Sequence, residues 1–220
     1  KGKQENVIIK LPVLGSYSAT APYNCPKSAR ILKLGCEALA KKMSESGYRA
    51  NPVTRSLNAL ALLASGNKNY LSLIEREAKW ASGYSANGMA SWYYGYVIML
   101  LAEYHMATGD KSVMPGLRRL ALEASNGQSI VGSWGHKFAG EDGRLVGYGM
   151  MNAPGVPLTT SLVLASKAGV NAQAVDRAIT RSLKLIRFYV GKGTIPYGAH
   201  NLWIQTHDDN GKNGIANVLY

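Results

Sequence analysis

Cysteine, acidic side chains and long apolar runs are all scarce in this chain, and each shortage closes a class of explanation. Only two cysteines occur, Cys25 and Cys36. Both fall on or just before one expected helix, where their spacing spans about 16 Å at 1.5 Å per residue, beyond disulfide reach. They read as two buried free thiols, which leaves no disulfide framework and no compact Cys/His set for zinc. Acidic residues number 13 against 25 basic ones, giving a net charge of +12. No long Lys/Arg block accompanies that excess, so it favours an anionic partner without selecting one. The basic residues are spread over separate helices, which argues against nucleic acid. The longest apolar run, Val97 to Ala102, is far too short to cross a bilayer. Glycines are plentiful, yet they form neither a phosphate-cradling loop nor a dinucleotide fingerprint, and GSWG lacks the flanking pattern of a nucleophile elbow. Neither cofactor nor metal is expected. The run DDNGKNG is no calcium loop either, because Gly211 and Tyr220 stand where an EF-hand register begun at Asp209 needs ligands.

What the chain does have is a repeated pattern of helices. Apolar residues make up 46% of 220 positions, enough for one domain with a substantial core. Residues 1–24 read as an extended strap, with VIIKLPVL as a short extended piece. Pro26 then opens a helix to about Glu45, with Ile31, Leu32, Leu34, Leu39 and Met43 as candidate core and Lys27, Arg30, Lys33, Lys41 and Lys42 as a solvated face. Asn51 followed by Pro52 reads as a capped start of a second helix, apolar nearly all round and therefore expected to be buried on most sides. An amphipathic partner, Tyr70 to Trp80, follows the break at Gly66 and Asn67.

The order recurs twice: Ser91 to Ala107 then Ser112 to Ser125, and Pro157 to Ala168 then Ala172 to Val190. Pro157 is expected in a first helical turn, with Leu162, Val163, Leu164 and Ala165 as a buried body ended by Gly169. In the last helix Val175, Ile179, Leu183 and Ile186 are expected to face inward, and Arg177, Arg181, Lys184 and Arg187 outward. The segments LALLASGN, IMLLAEYHMATGD and LVLASKAGVN mark the same junction three times. Stacked helical hairpins produce this alternation, since one hairpin cannot bury its own apolar surface. The charge-poor inner helices favour a closed ring over an open superhelix. Asn213 to Tyr220 reads as the start of a further apolar helix, so the chain is expected to be a piece of a longer one. Its start at Lys1 fits a processed or excised fragment from which a targeting peptide has gone.

Consecutive hairpins should deliver the loops before the inner helices to one end. Those loops carry His136, His200 and His207, with Trp134, Trp203, Tyr48, Tyr84, Tyr148 and Tyr197, while Trp92, Tyr93 and Tyr94 begin an inner helix. His105, by contrast, reads as a helix-end histidine favoured by the dipole. Trp92, Tyr93, Trp134, Arg144, Tyr197, His200 and Trp203 are therefore the candidate substrate-binding residues of an aromatic cleft with anion-friendly helix termini beneath it. Candidate catalytic residues are His136, Glu141, Asp142 and Tyr148 from WGHKFAGEDGRLVGYG, with His207 and Asp208 from HDDNGKNG. A hydrolase needs two carboxylates across the bond, Glu141 or Asp142 facing Asp208 or Asp209. A lyase needs a base such as His136, His200 or Tyr148 beside a carboxylate-neutralising group. Turn and cap roles remain open for the same Asp and Asn residues.

With loops such as GSWGHKF and IPYGAHN before inner helices, the hairpin repeat resembles the α/α toroids of terpenoid cyclases, protein prenyltransferase β subunits and several polysaccharide lyases and glycosidases. LGSYSATAPYNCPKSA and HDDNGKNG are similar to an uncharacterised bacterial toroid family often joined to a PDZ module and exported from the cytoplasm. HDDN supplies only part of the D-x-D-D acid of a triterpene cyclase, and no cysteine matches the prenyltransferase zinc set, so those two activities are disfavoured. The expectation is an all-α, α/α-toroid domain over 1–220, outside the cytoplasm and linked to other domains of a longer chain. It would be a hydrolase or lyase acting on an acidic polysaccharide, or a non-catalytic scaffold for a glycan or peptide.

Overall fold

A computed structural model describes residues 15–85, 89–145, 147, 149–191, 195, 197 and 198. The chain divides into two compact units, Lys1–Ser46 and Gly47–Tyr220. In the first, Cys25 in extended conformation precedes Pro26, whose fixed φ suits the first helical position, and α1 runs Pro26–Ser44. Both cysteines are free and buried. The exposed Arg30, Lys33, Lys41 and Lys42 form the solvated face the sequence suggests. Its apolar residues do not all follow: Met43 is buried, but Ile31, Leu32 and Leu34 are exposed. The unit's described residues contain no second helix for that stripe to pack on. The extended piece expected at VIIKLPVL lies outside the described residues.

The second unit is all helical among the described residues, apart from two isolated bridges. Its helices are α2 (Pro52–Ala64), α3 (Leu71–Ser82), α4 (Ala90–Thr108), α5 (Met114–Asn126), α6 (Asn152–Lys167) and α7 (Gln173–Tyr189). Each hairpin packs on the next in two rows, α2 with α4 and α6, and α3 with α5 and α7. Local chemistry fixes the junctions. Asn51 Oδ1 accepts from the Thr54 N–H at 2.9 Å and caps α2. Asn67 and Asp110 do the same for the 3-10 turns that open α3 and α5, accepting from Asn69 and Ser112. Gly109, at φ +73°, ends α4 in the left-handed region, so the GN and GD of the repeat are a stop and a start in tandem. His105 in the last turn of α4 pairs its Nδ1 with the Asp110 carbonyl at 2.8 Å, a helix-end role.

Helix α4 is the centre of the core. Val97, Ile98, Leu100, Leu101 and Ala102 are wholly buried because α4 has row neighbours on both sides and outer helices behind it. Each large aliphatic buried this fully contributes roughly 1.5–3 kcal/mol. At Gly95 the α4 backbone meets α6: a Cβ there would lie 3.1 Å from Leu158 N and Pro157 C.

Three expectations about the helices are corrected. Helix α6 begins at Asn152, five residues early, so Pro157 lies inside it. Pro154 is the proline in the first turn, and Pro157 is instead the surface on which Gly95 rests. Helix α2 is buried only along Ser56, Ala59 and Leu62, with Leu57 exposed, because it has an inner-row neighbour on one side alone among the described helices. In α7 the buried line is Val175, Ala178, Ser182, Leu185 and Tyr189, while Leu183 is exposed among the arginines. A small serine suits that line because Ser182 Oγ donates to the Gly132 carbonyl at 2.8 Å. No described helix is long and apolar enough to cross a membrane. The segment Asn213 to Tyr220 lies outside the described residues.

Candidate functional site

The long loop between α5 and α6 is held by buried polar ties rather than by apolar packing alone. Gln128 Nε2 donates to the Ala178 carbonyl at 2.9 Å, Ser182 Oγ at 2.8 Å and the Gly132 carbonyl at 3.2 Å. Gly132, at φ +92°, lies so close to α7 that a Cβ would come within 2.5 Å of the Arg181 carbonyl oxygen. Only glycine combines that φ with that approach. Ser133 Oγ then donates to the Met151 carbonyl, and Met151 N–H returns to the Trp134 carbonyl at 2.8 Å, closing the base of the loop. Trp134 is fully buried, its indole N–H donating to the Ala124 carbonyl at 2.8 Å. The cleft-wall role expected of Trp134 is therefore replaced by a core role: it anchors the loop to α5.

With its base fixed, the loop presents His136 to the start of α4. Trp92 Nε1–H donates to His136 Nδ1 at 2.8 Å, with the two rings 5.9 Å apart and stacked. An indole N–H only donates, so the Nδ1 of His136 must hold a lone pair in this arrangement. The ring of Tyr197 lies 6.3 Å from that of Trp92. The Tyr197 carbonyl accepts from the N–H groups of Asn152 (2.9 Å) and Ala153 (3.3 Å), the first two residues of α6. This backbone contact takes up N–H groups at the start of α6 that an anion at a helix terminus would otherwise use. Three remote stretches, around residues 92, 136 and 197, thus meet at one end of the unit.

Beside this cluster runs an aromatic ladder. Trp80 and Tyr84 are 5.4 Å apart between ring centroids, Tyr84 and Tyr94 5.9 Å, and Tyr94 and Phe138 5.0 Å. Tyr94 donates its hydroxyl to Glu123 Oε2, and Glu123 also takes Arg119 at 2.9 Å. Burial together with the Glu123 carboxylate pushes the Tyr94 phenol far up, and burial raises Tyr84 to about 12. Arg119 reaches on to the Ser82 and Tyr84 carbonyls, tying the loop before α4 to α5. At the ladder's other end the Arg55 guanidinium lies 3.8 Å from the Trp80 ring centroid and donates through Nε to Glu77 Oε2 at 2.6 Å. Arg76 takes the opposite oxygen of Glu77 through Nε (3.0 Å) and Nη2 (2.9 Å). Glu77 is a fully buried carboxylate shared by two arginines.

Of the other expected residues, Tyr93 is half-buried in the first turn of α4. Glu141, Asp142 and Arg144 lie on an exposed turn, where Asp142 Oδ1 accepts from the Arg144 N–H at 3.0 Å and the two side chains approach to 3.8 Å. Asp142 thus has the turn-forming role left open for it. Tyr148, His200, Trp203, His207, Asp208 and Asp209 lie outside the described residues. No group of three or more His, Cys, Asp or Glu that could hold a metal occurs among the described residues.

Arg55, Glu77, Trp80, Glu123 and Gln128 have no place in the sequence reading of the site. Arg55 lies on α2 while Glu77 and Trp80 share α3, and nothing in an amphipathic pattern distinguishes a shared buried carboxylate from a solvated Glu. Arg-Glu inside REAKW beside a tryptophan was the available signal. A family model described as a domain of unknown function (DUF6288) matches residues 28–220. No curated protein and no solved structure gives a significant match.

Proposed function

The chain belongs to the DUF6288 family, a domain of unknown function, and from that premise we propose a carbohydrate-active module of the α/α-toroid type. Its loop-rich end takes an acidic glycan outside the cytoplasm. The observation that carries this reading is the Trp92–His136 hydrogen bond with Tyr197 alongside, three ring-bearing side chains supplied by separate segments. Rings held by hydrogen bonds at a helix start offer flat apolar faces next to polar edges, the combination that suits sugar C–H faces and hydroxyls. The two-row array supports a toroid, since an arc of paired helices is the unit from which such a ring closes. In a hydrolase or lyase, His136 would work with groups from Tyr148, His207 and Asp208, and Glu141 or Asp142 would supply the second carboxylate. Export and attachment to further domains, a PDZ module among them, go with the same resemblance.

A second reading, a non-catalytic scaffold for a glycan or peptide, is favoured by one observation. The carboxylates of Glu77, Glu123 and Asp142 are each already engaged by arginine or by a turn. The test is a panel of acidic and neutral polysaccharides, read for both binding and product. A carbohydrate-active module binds at least one member, and Trp92→Phe weakens that binding. Product formation abolished by combined Ala replacement of His136, Glu141, His207 and Asp208 supports the enzyme. Binding that survives the same replacement, with no product, supports the scaffold, and no binding to any member overturns both glycan readings.

A further inference from the structure

Near the α2 end of the same loop face, Glu77 is saturated. Its Oε2 takes Arg55 Nε and its Oε1 takes Arg76 twice. One carboxylate thus serves two guanidiniums, and the triad keeps a surplus positive charge. The Arg55 side chain is 24% exposed, so its charge is poorly hydrated, yet it is not sealed in. Of its five N–H donors only Nε–H makes a hydrogen bond to a described residue. A guanidinium whose Nε–H is spent and whose carbon sits 3.8 Å over an indole keeps its terminal nitrogens for one more planar acceptor. One turn further along α2, Asn58 Nδ2 donates to the Tyr48 hydroxyl at 2.9 Å, leaving the Tyr48 O–H as a donor beside that helix. The ladder Trp80–Tyr84–Tyr94–Phe138 leads from this cation toward the loop that carries His136.

We propose that Arg55, pinned by Glu77 and held over the Trp80 ring, is the subsite for the carboxylate of an acidic sugar unit. It thereby sets the preference of this face for an anionic over a neutral glycan. The inference rests on the carbohydrate reading above. Lysine at this position keeps a charge opposite Glu77 but has no planar fork and no flat face for Trp80, so Arg55→Lys removes the recognition while leaving the buried carboxylate paired.

The test uses a uronic-acid oligosaccharide and its carboxyl-reduced neutral counterpart, titrated into the native protein and into Arg55→Lys by calorimetry. Native protein is expected to bind the acidic ligand about tenfold more tightly, a charge-assisted contact. Arg55→Lys should erase most of that difference and leave the neutral ligand unchanged within about twofold. Equal affinity of native protein for both ligands overturns the inference, whether or not the variant folds. So does an acidic affinity unchanged in the variant, or an equal loss for both ligands, which marks Arg55 as a purely structural tie. Native protein that binds neither ligand overturns this inference, while the carbohydrate reading falls only if the whole polysaccharide panel gives no binding.

Discussion

Replacing Glu77 by Gln removes a buried charge without changing side-chain volume, and the structure sets how much that should cost. The carboxylate accepts three charge-assisted hydrogen bonds, one from Arg55 and two from Arg76, and its side chain is only 1% exposed. Breaking a buried ion pair by removing one partner costs about 3–5 kcal/mol, chiefly because the other charge is stranded. Here the stranded groups are partly wet, with side-chain exposures of 24% for Arg55 and 47% for Arg76, so each recovers some hydration. Gln also retains one acceptor oxygen. We therefore expect a loss of about 2–3 kcal/mol, and a fall in Tm of about 4–12 °C for a unit of this size. Urea unfolding followed by far-UV circular dichroism measures the first, and a thermal scan the second. Arg76→Gln, which removes the wetter partner and leaves Arg55 in place, should cost under about 1 kcal/mol. A double-mutant cycle between Glu77→Gln and Arg55→Gln should show coupling of at least about 1 kcal/mol. A Glu77→Gln protein within about 0.5 kcal/mol of native would refute the claim that this carboxylate joins α2 to α3.

The other expectations concern the loop base and three titrating groups. Gly132→Ala places a Cβ against the Arg181 carbonyl at a positive φ, so urea unfolding should show a loss of about 2–4 kcal/mol, and an unchanged midpoint would mean the loop does not lie against α7. Hydrogen bonds from Ser28 and Ser18 hold the Cys25 thiol at about 6, below its ordinary 9.0. Thiolate absorbance at 240 nm in Cys36→Ser should therefore have its midpoint near pH 6, and a midpoint above 8 would contradict the Cys25 environment. Because that folded value is depressed, the contribution of Cys25 to stability is full above its unfolded value and is lost as pH falls through about 6. Tyr84 and Tyr104 are held up to about 12, the first mainly by burial and the second by burial with Asp110. Phenolate absorbance at 295 nm should rise in that range, and their stabilising contributions, complete below the ordinary phenol value, should fade as pH rises through about 12.

Periodicity carried most of the second unit. The order of apolar and amphipathic helices, the Asn51 cap and the glycine stops are local signals, and each appears where local chemistry requires it. Faces were harder. Leu183 fits the apolar stripe of α7 by spacing, yet the buried line passes through Ser182, because its hydroxyl and Gln128 need each other. Pro157 looked like a helix start because proline is tolerated there, but the Gly95 contact that gives it a role belongs to tertiary packing. In the candidate site, His136 and Tyr197 were legible as ring-bearing loop residues and Trp92 as one at a helix start. That Trp134 is buried two residues from His136 was not, since both belong to the same aromatic loop and only burial separates anchor from surface. The Arg55–Glu77–Trp80 tie joins two helices, and the apolar periodicity of neither one marks it.

The most direct test of the central claim is a nuclear magnetic resonance titration of the intact protein with the tightest-binding oligosaccharide from the panel, following the indole N–H signals. If three loop segments build one glycan face, the largest shifts fall on the Trp92 Nε1–H and on residues around His136 and Tyr197, while the buried Trp134 N–H stays still. Shifts confined to the outer helices α3, α5 and α7, with Trp92 unmoved, would contradict the account.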